Sequence, residues 1–352
     1  MKQTTPIPLA AEPLFRRLLS LERRRCERSE GRFGLLLVDL ESVRASAAAP
    51  DLERVASAIA AAMRETDITG WYEEGSTIGV ILTELNETKR ETLEAVVVER
   101  TKCLVVDHLG EMQGHRVRIS CHLFPDDDVA NHIFYSEENQ SRTGTTHSMF
   151  LKRAIDVAGS LAALILLSPL FVVIAALIKL TSEGPIFFRQ KRIGQFGGKF
   201  IFLKFRSMIV NNNPEIHRQY VQNLITKKVD PSAGAFKIKN DPRVTRIGRF
   251  LRKSSLDELP QFLNVLCGEM SLVGPRPPIP YEFENYLLWH RRRVLEVKPG
   301  ITGEWQVFGR SRTTFDEMVR MDLRYIQNRS IWLDLKILFK TPLAVISGDG
   351  AY

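Results

Sequence analysis

The alternation of apolar and polar positions divides the chain into two parts of different character. In the first, Leu14–Arg28 repeats at helical spacing with a basic face. Phe33–Leu40 is a short apolar run suited to a buried strand, and Leu52–Arg64 is again helical in period. Ile68–Tyr72 and Thr77–Leu82 are strand-like runs on either side of Glu73-Glu74-Gly75-Ser76, a pattern that predicts a hairpin. Thr88–Val106 reads as a helix, and Arg116–Phe124 alternates as a strand does. Together these elements predict a small α/β domain over residues 1–124. The polar stretch that follows, containing Pro125-Asp126-Asp127-Asp128 and Ser136–Ser148, predicts a linker over residues 125–148.

The second part opens on Val157–Ile178, 22 residues without a charge. As one helix they would be roughly 33 Å long, enough to cross a bilayer core. Ser168-Pro169 interrupts the run at its middle, where a proline removes a backbone hydrogen bond and bends a helix. Lys152 and Arg153 precede the run and Lys179 follows it. Positive residues at both ends place both ends on the cytoplasmic side. The geometry that satisfies break and charge together is a re-entrant helix over about residues 152–180, which enters the membrane and returns. A plain spanning helix that tolerates its proline is the alternative.

Charge sharpens the division. Residues 1–150 carry 18 Lys+Arg and 24 Asp+Glu, a net of −6, whereas residues 151–352 carry 31 and 17, a net of +14. The second module is therefore expected to face something anionic, such as phospholipid head groups, a phosphorylated substrate or nucleic acid. Its densest basic segment, Asn240–Lys253, lacks the interleaved aromatics and the motifs of a nucleic-acid reader, so no nucleic-acid partner is expected. Cys26, Cys103, Cys121 and Cys267 form no CxxC pair, and free thiols suit a reducing compartment. The first residues lead into no apolar core of signal-peptide length. The N-terminal module is accordingly expected in the cytoplasm, and a re-entrant helix keeps the second module on that same face.

Several positions in the second module carry candidate chemistry. Ile186–Phe188 suits a short strand and leads into the basic Arg189-Gln190-Lys191-Arg192. In Phe200–Met208, strand alternation puts Lys204 and Arg206 on one face, either as a phosphate clamp or as an ordinary solvated face. Asp257-Glu258 follows the basic segment directly. Adjacent carboxylates among cations suit work on a phosphate, one attacking phosphorus and the other helping to hold Mg²⁺. The same residues also fit a helix capping box, Ser255-x-x-Glu258. Arg276 sits between Pro275 and Pro277, which stiffen its backbone. Glu282–Arg293 and Ile331–Ile346 read as amphipathic helices, interfacial or core-facing.

In order along the chain stand Lys152-Arg153-x-x-Asp156, Ser168-Pro169, Gly184-Pro185 through Gly194, Lys204-Phe205-Arg206, Asp241-Pro242-Arg243, Ser254–Pro260, Ser271–Pro277, Pro299-Gly300-Ile301-Thr302-Gly303 and Gly350-Ala351-Tyr352. With this ordered set, residues from about 150 to 352 resemble the bacterial sugar transferases, monotopic phosphoglycosyl transferases that act on polyprenyl phosphate. Glu304 departs from the family pattern, which favours a small or apolar residue before the tryptophan. The resemblance implies a transferase domain over 149–352, built of helices around a short sheet on a proline-broken membrane helix. With the small domain before it, the fold class is α/β (α+β).

The reaction implied moves a sugar-1-phosphate from a UDP-sugar to polyprenyl (undecaprenyl) phosphate and releases UMP, the first membrane step of exopolysaccharide, O-antigen or other glycoconjugate synthesis. In it Asp257 is the nucleophile and forms a covalent phosphosugar intermediate. Glu258 supports catalysis, and both carboxylates serve the metal, Mg²⁺. Lys204, Arg206, Asp241, Arg252 and Arg276 are the implied substrate ligands. The location is the cytoplasmic face of the bacterial inner membrane. A non-catalytic membrane scaffold in a polysaccharide assembly is the competing reading. Residues 14–124 resemble a degenerate GGDEF-type nucleotidyl cyclase fold, in which Asp39 matches one metal carboxylate and the signature turn is replaced by Glu73-Glu74-Gly75-Ser76-Thr77. This implies a regulatory module and prompts the expectation of a homodimer.

Overall fold

The computed structural model describes residues 9–44, 52–83, 85, 90–125, 131–135, 146–210, 218–219, 243–309 and 313–346. The chain separates into two compact units, Met1–Glu137 and Glu138–Tyr352.

In the first unit, β1 (Phe33–Asp39) pairs antiparallel with β3 (Thr77–Leu82) on one side and with β4 (Arg118–Phe124) on the other. β2 (Ile68–Glu73) completes a sheet of order β2-β3-β1-β4, the topology of a split βαβ unit. The crossovers are made by α2 (Glu41–Arg44) with α3 (Leu52–Ala62), and by α4 (Arg90–Leu109) with α5 (Glu111–Gly114). Val55, Ile59 and Val105 from these helices meet Leu36, Val38, Ile78 and Val80 in the core. Central β1 is an unbroken apolar run because both of its faces are covered; Leu35 and Leu36, on opposite faces, are both fully buried. α1 (Glu12–Ser29) begins at a proline-containing first turn and ends on Glu30 in the left-handed region. A short helix, α6 (Asn131–Tyr135), lies in the stretch assigned to a linker and corrects it. Phe134 and Tyr135 are buried, and Phe134 packs edge-on against Phe33 and Phe124.

The second unit starts with a helix pair, α7 (Thr146–Leu166) and α8 (Ser168–Thr181). Among the described residues no single helix is long and apolar enough to cross a membrane. This pair passes together, bent by 61° at its break. The bend has the cause expected of it, since Pro169 lies in the first turn of α8 and Leu167 leaves the helical path. The Ser168 hydroxyl donates to the Ile165 carbonyl at 2.8 Å, occupying one of the carbonyls that the interrupted helix leaves open.

β5 (Phe187–Ile193) and β6 (Lys199–Phe205) then form an antiparallel hairpin. β7 (Ser271–Val273) and β8 (Gly300–Thr302) form a short parallel pair. Around them pack α9 (Arg246–Lys253), α10 (Gln261–Leu266), α13 (Glu304–Phe308), α14 (Phe315–Asn328), α15 (Ile331–Ile346) and two further helices described below. Phe200, Phe202, Val265, Met270, Val273, Tyr325 and Ile337 make the core beneath the sheets.

The two amphipathic predictions separate here. Glu282–Arg293 forms two short helices, α11 (Pro280–Glu284) and α12 (Leu288–Leu295), with Glu282, His290 and Arg293 each 1% exposed. These three polar residues point inward, so it is a core-facing segment and not an interfacial one. α15 keeps an apolar face in the open, with Trp332, Phe339 and Leu343 all more than two-thirds exposed.

Candidate active site

Two neighbouring elements build the site. β6 places Lys204 one residue from its end, and a single 3₁₀ turn, Leu256–Glu258, follows α9. The Lys204 ammonium donates to Glu258 Oε1 at 2.7 Å and lies 3.7 Å from Asp257 Oδ2. Asp257 is buried, whereas Glu258 keeps about a quarter of its side chain in the open. A lysine between two carboxylates fixes both and offsets their mutual repulsion.

The turn that presents them is not a capped helix start. Ser255 has φ 55° and makes no side-chain cap, so the capping-box reading is set aside. An N-cap residue needs extended backbone, which a residue in the left-handed region does not supply. A non-glycine residue in that region costs on the order of 1 kcal/mol, and such costs collect where a side chain must be aimed.

α9 sits against the strand end. Thr245 caps it by accepting from the Gly248 amide at 2.9 Å, and the Thr245 amide donates to the Ser207 carbonyl at 3.1 Å. Arg252, in the last turn, donates from Nε to Ser207 Oγ at 3.1 Å. The helix approaches so closely that a Cβ on Gly248 would collide with the Ser207 carbonyl. Gly248→Ala should therefore cost about 1–3 kcal/mol by overpacking and displace Arg252. A thermal melt of the variant checks this, and an unchanged melting temperature would refute the close approach.

The loop bearing Arg276 is held by two buried arginines. Arg192 Nη1 donates to the Pro277 carbonyl at 2.8 Å, and Arg293 Nη2 donates to the Arg276 carbonyl at 3.2 Å. Burial, then the charge of Arg276, lowers the Arg192 pKa to about 10, while Glu282, Tyr281 and Glu258 pull it back up. Arg192 thus feels both Arg276 and, more weakly, Glu258. Gly274 and Gly300 let the loop close on β8, for a Cβ on Gly300 would meet the Gly274 amide.

Of the residues expected at the site, Lys204, Asp257 and Glu258 come together directly, Arg252 lies at the adjoining helix end, and Arg276 lies near enough to Arg192 for their charges to repel. Arg206 does not join them. β6 ends at Phe205, and the Arg206 side chain turns back to donate to the Ser182 and Glu183 carbonyls at 2.8 and 2.6 Å. It closes the end of α8 instead of facing a phosphate. Asp241 lies outside the described residues. Arg192 was not singled out individually, because its basic cluster carries no mark telling a buried arginine from an exposed one.

Among the described residues no three carboxylate, histidine or cysteine side chains converge on a metal position. Mg²⁺ commonly takes only one or two protein carboxylates and completes its shell with substrate phosphates and water. The Asp257–Glu258 donor set fits that mode.

A buried aspartate and a partly exposed glutamate braced by one lysine, inside a basic unit that opens on a bent apolar helix pair, make a site suited to phosphoryl transfer. The profile of the bacterial sugar transferases matches residues 147–348, more than half of the chain, and the chain belongs to that family. It is 45% identical over 210 residues to the UDP-galactose-lipid carrier transferase of Erwinia amylovora, a match covering 58% of this chain and 42% of that protein. It is 42% identical over 208 residues to the exopolysaccharide production protein ExoY of Rhizobium meliloti, covering 57% of this chain and 88% of that protein. With the UDP-glucose:undecaprenyl-phosphate glucose-1-phosphate transferase of Escherichia coli K12 it shares 42% identity over 214 residues, 57% of this chain and 41% of that one. The chain thus spans less than half the length of several relatives it matches.

Proposed function

We propose that the protein transfers a hexose-1-phosphate from a UDP-sugar to undecaprenyl phosphate on the cytoplasmic face of the bacterial inner membrane, in exopolysaccharide or related glycoconjugate synthesis. The observation that carries this reading is the side-by-side placement of Asp257 and Glu258 on the Lys204 ammonium, within the unit that the family profile covers. The names of the relatives point to UDP-galactose and UDP-glucose as donor classes and to a lipid carrier as acceptor.

The chemistry runs in two displacements. An Asp257 oxygen attacks the sugar-bearing phosphorus of the donor, the bond from that phosphorus to the bridging oxygen breaks, and UMP leaves with the bond's electrons. The phosphosugar is then held as an acyl phosphate. A phosphate oxygen of undecaprenyl phosphate attacks the same phosphorus. The acyl-phosphate bond breaks, the carboxylate is restored, and undecaprenyl-diphosphate-sugar departs. Lys204 aims Asp257, while Arg252 and Arg276 offset charge on the phosphate oxygens. Asp257 and Glu258 would hold Mg²⁺, which when bound would supply further neutralisation of the diphosphate.

The acceptor is a lipid, so the site belongs at the membrane surface. The bent pair leaves Leu161, Ile165, Leu166, Val172, Val173 and Leu180 exposed, an apolar surface that calls for lipid contact. Lys152, Arg153 and Lys179 at its two ends support a pair that enters one leaflet and returns.

The test is UMP release from a panel of UDP-sugars by the membrane-extracted protein, with Mg²⁺ and undecaprenyl phosphate. Release from one sugar, dependent on the lipid, is the expected result. Absence of release from every sugar by folded protein would sink the reading in favour of a scaffold.

A further inference from the structure

A second concentration of charge lies at the root of α7. A cavity of about 230 Å³ opens there, walled by Lys152, Arg153, Asp156, Lys298, Arg329 and Asp334, and it shares no wall residue with the Asp257–Glu258 site. Four cations face two carboxylates, and both carboxylates are engaged. Asp156 Oδ1 accepts from the Ser271 hydroxyl and the Leu272 amide, each at 3.0 Å. Asp334 accepts from Lys152 at 2.6 Å and from the Tyr325 hydroxyl at 2.7 Å. Arg153 is committed to the Val265 and Leu266 carbonyls. Lys298 has no hydrogen bond or ion pair among the described residues. Burial, then the nearby Arg153, lowers its pKa against the pull of Asp156. A partly buried ammonium beside a second cation, with its nearest carboxylate already engaged elsewhere, has room for a further anion.

The remaining wall is apolar. Met149, Val297 and Ile331 line the cavity beside the polar groups. A free phosphate has no use for such a wall, whereas an amphiphile that carries a phosphate uses both parts. Position gives the same answer. Met149 and Asp156 belong to the first turns of α7, and Ile331 opens α15, whose Trp332 and Phe339 stand exposed. If the α7–α8 pair enters the bilayer, as proposed above, the cavity lies at head-group depth.

We infer that this cavity binds the phosphate of an anionic membrane phospholipid, with Lys298 as its principal ligand, as a site separate from the one that performs transfer. The bound lipid would pin the root of α7 to α15 and to the β7–β8 pair. This rests on the membrane placement in the proposed function but not on the identity of the nucleophile.

The experiment uses the full chain in nanodiscs of phosphatidylcholine and phosphatidylglycerol, extracted gently and weighed by native mass spectrometry. Wild-type protein and Asp257→Asn should both retain phosphatidylglycerol in preference to phosphatidylcholine. Lys298→Gln should lower that retention about five-fold, the weight of one cation against anionic lipid, and Lys298→Arg should restore it. Melting temperatures of the variants in detergent separate lost binding from lost folding. Inorganic phosphate, added to lipid-free protein, should give no Lys298-dependent rise in melting temperature. Retention unchanged in folded Lys298→Gln would overturn the site, and a Lys298-dependent rise with inorganic phosphate would overturn its assignment to lipid. Turnover that survives in Asp257→Asn would overturn the transfer mechanism alone and leave the lipid result standing.

Discussion

Asp257→Asn is expected to lower sugar-phosphate transfer by about 10⁴-fold or more, the scale seen when a covalent nucleophile is removed from an otherwise intact site. The amide keeps the size of the carboxylate and loses its charge and nucleophilicity. Lys204 still has Glu258 to hold at 2.7 Å, so the turn keeps that anchor and the fold should stand. Incubation with a UDP-sugar labelled in the sugar should leave label on denatured wild-type protein and none on the variant. Glu258→Gln is expected to fall less, because Asp257 remains as nucleophile with Lys204 3.7 Å away. Label trapped on Asp257→Asn, or equal losses of label from both variants, would assign the nucleophile elsewhere.

Much of this site was legible along the chain, and the parts that were not have physical reasons. Asp257, Glu258 and Lys204 stand out as charges in short motifs. Their meeting does not, for Lys204 and Glu258 are 54 positions apart and only the β6-to-turn contact joins them. Arg206 was misread because alternation was carried one residue past the end of the strand. Ser255 fits a cap by residue type, but residue type carries no information on a positive φ. α6 hid in a polar stretch because five residues are too few to show a helical period. Glu282–Arg293 has the composition of a surface helix, and only its partners reveal it as core. The apolar run and its proline were the clearest signals, since hydropathy and a missing amide act locally and need no tertiary partner.

Arg293→Met should cost about 3–5 kcal/mol of stability, the usual effect of leaving one member of a buried ion pair without the other. Arg293 and Asp322 are each 1% exposed and meet at 2.7 Å. Arg293 also donates to the Tyr286 hydroxyl at 3.2 Å and to the Arg276 carbonyl. Burial raises the Asp322 carboxyl to about 6 even against the lowering pull of Arg293, with Glu304 adding a smaller push upward. Without Arg293 the cost falls on an isolated carboxylate or on its protonation. Arg293→Met with Asp322→Leu should recover most of the loss, since an apolar pair of similar volume removes both desolvation penalties. Chemical denaturation of wild type, both single variants and the double variant closes the cycle. A double variant no more stable than Arg293→Met would show that the pair is not the source of the cost. The rescued protein also separates stability from function. It lacks the donor that holds the Arg276 carbonyl, while Arg192 still holds Pro277. Folded double variant is therefore expected to transfer sugar phosphate more slowly than wild type, and full activity in it would remove Arg276 from the set of positioned phosphate ligands.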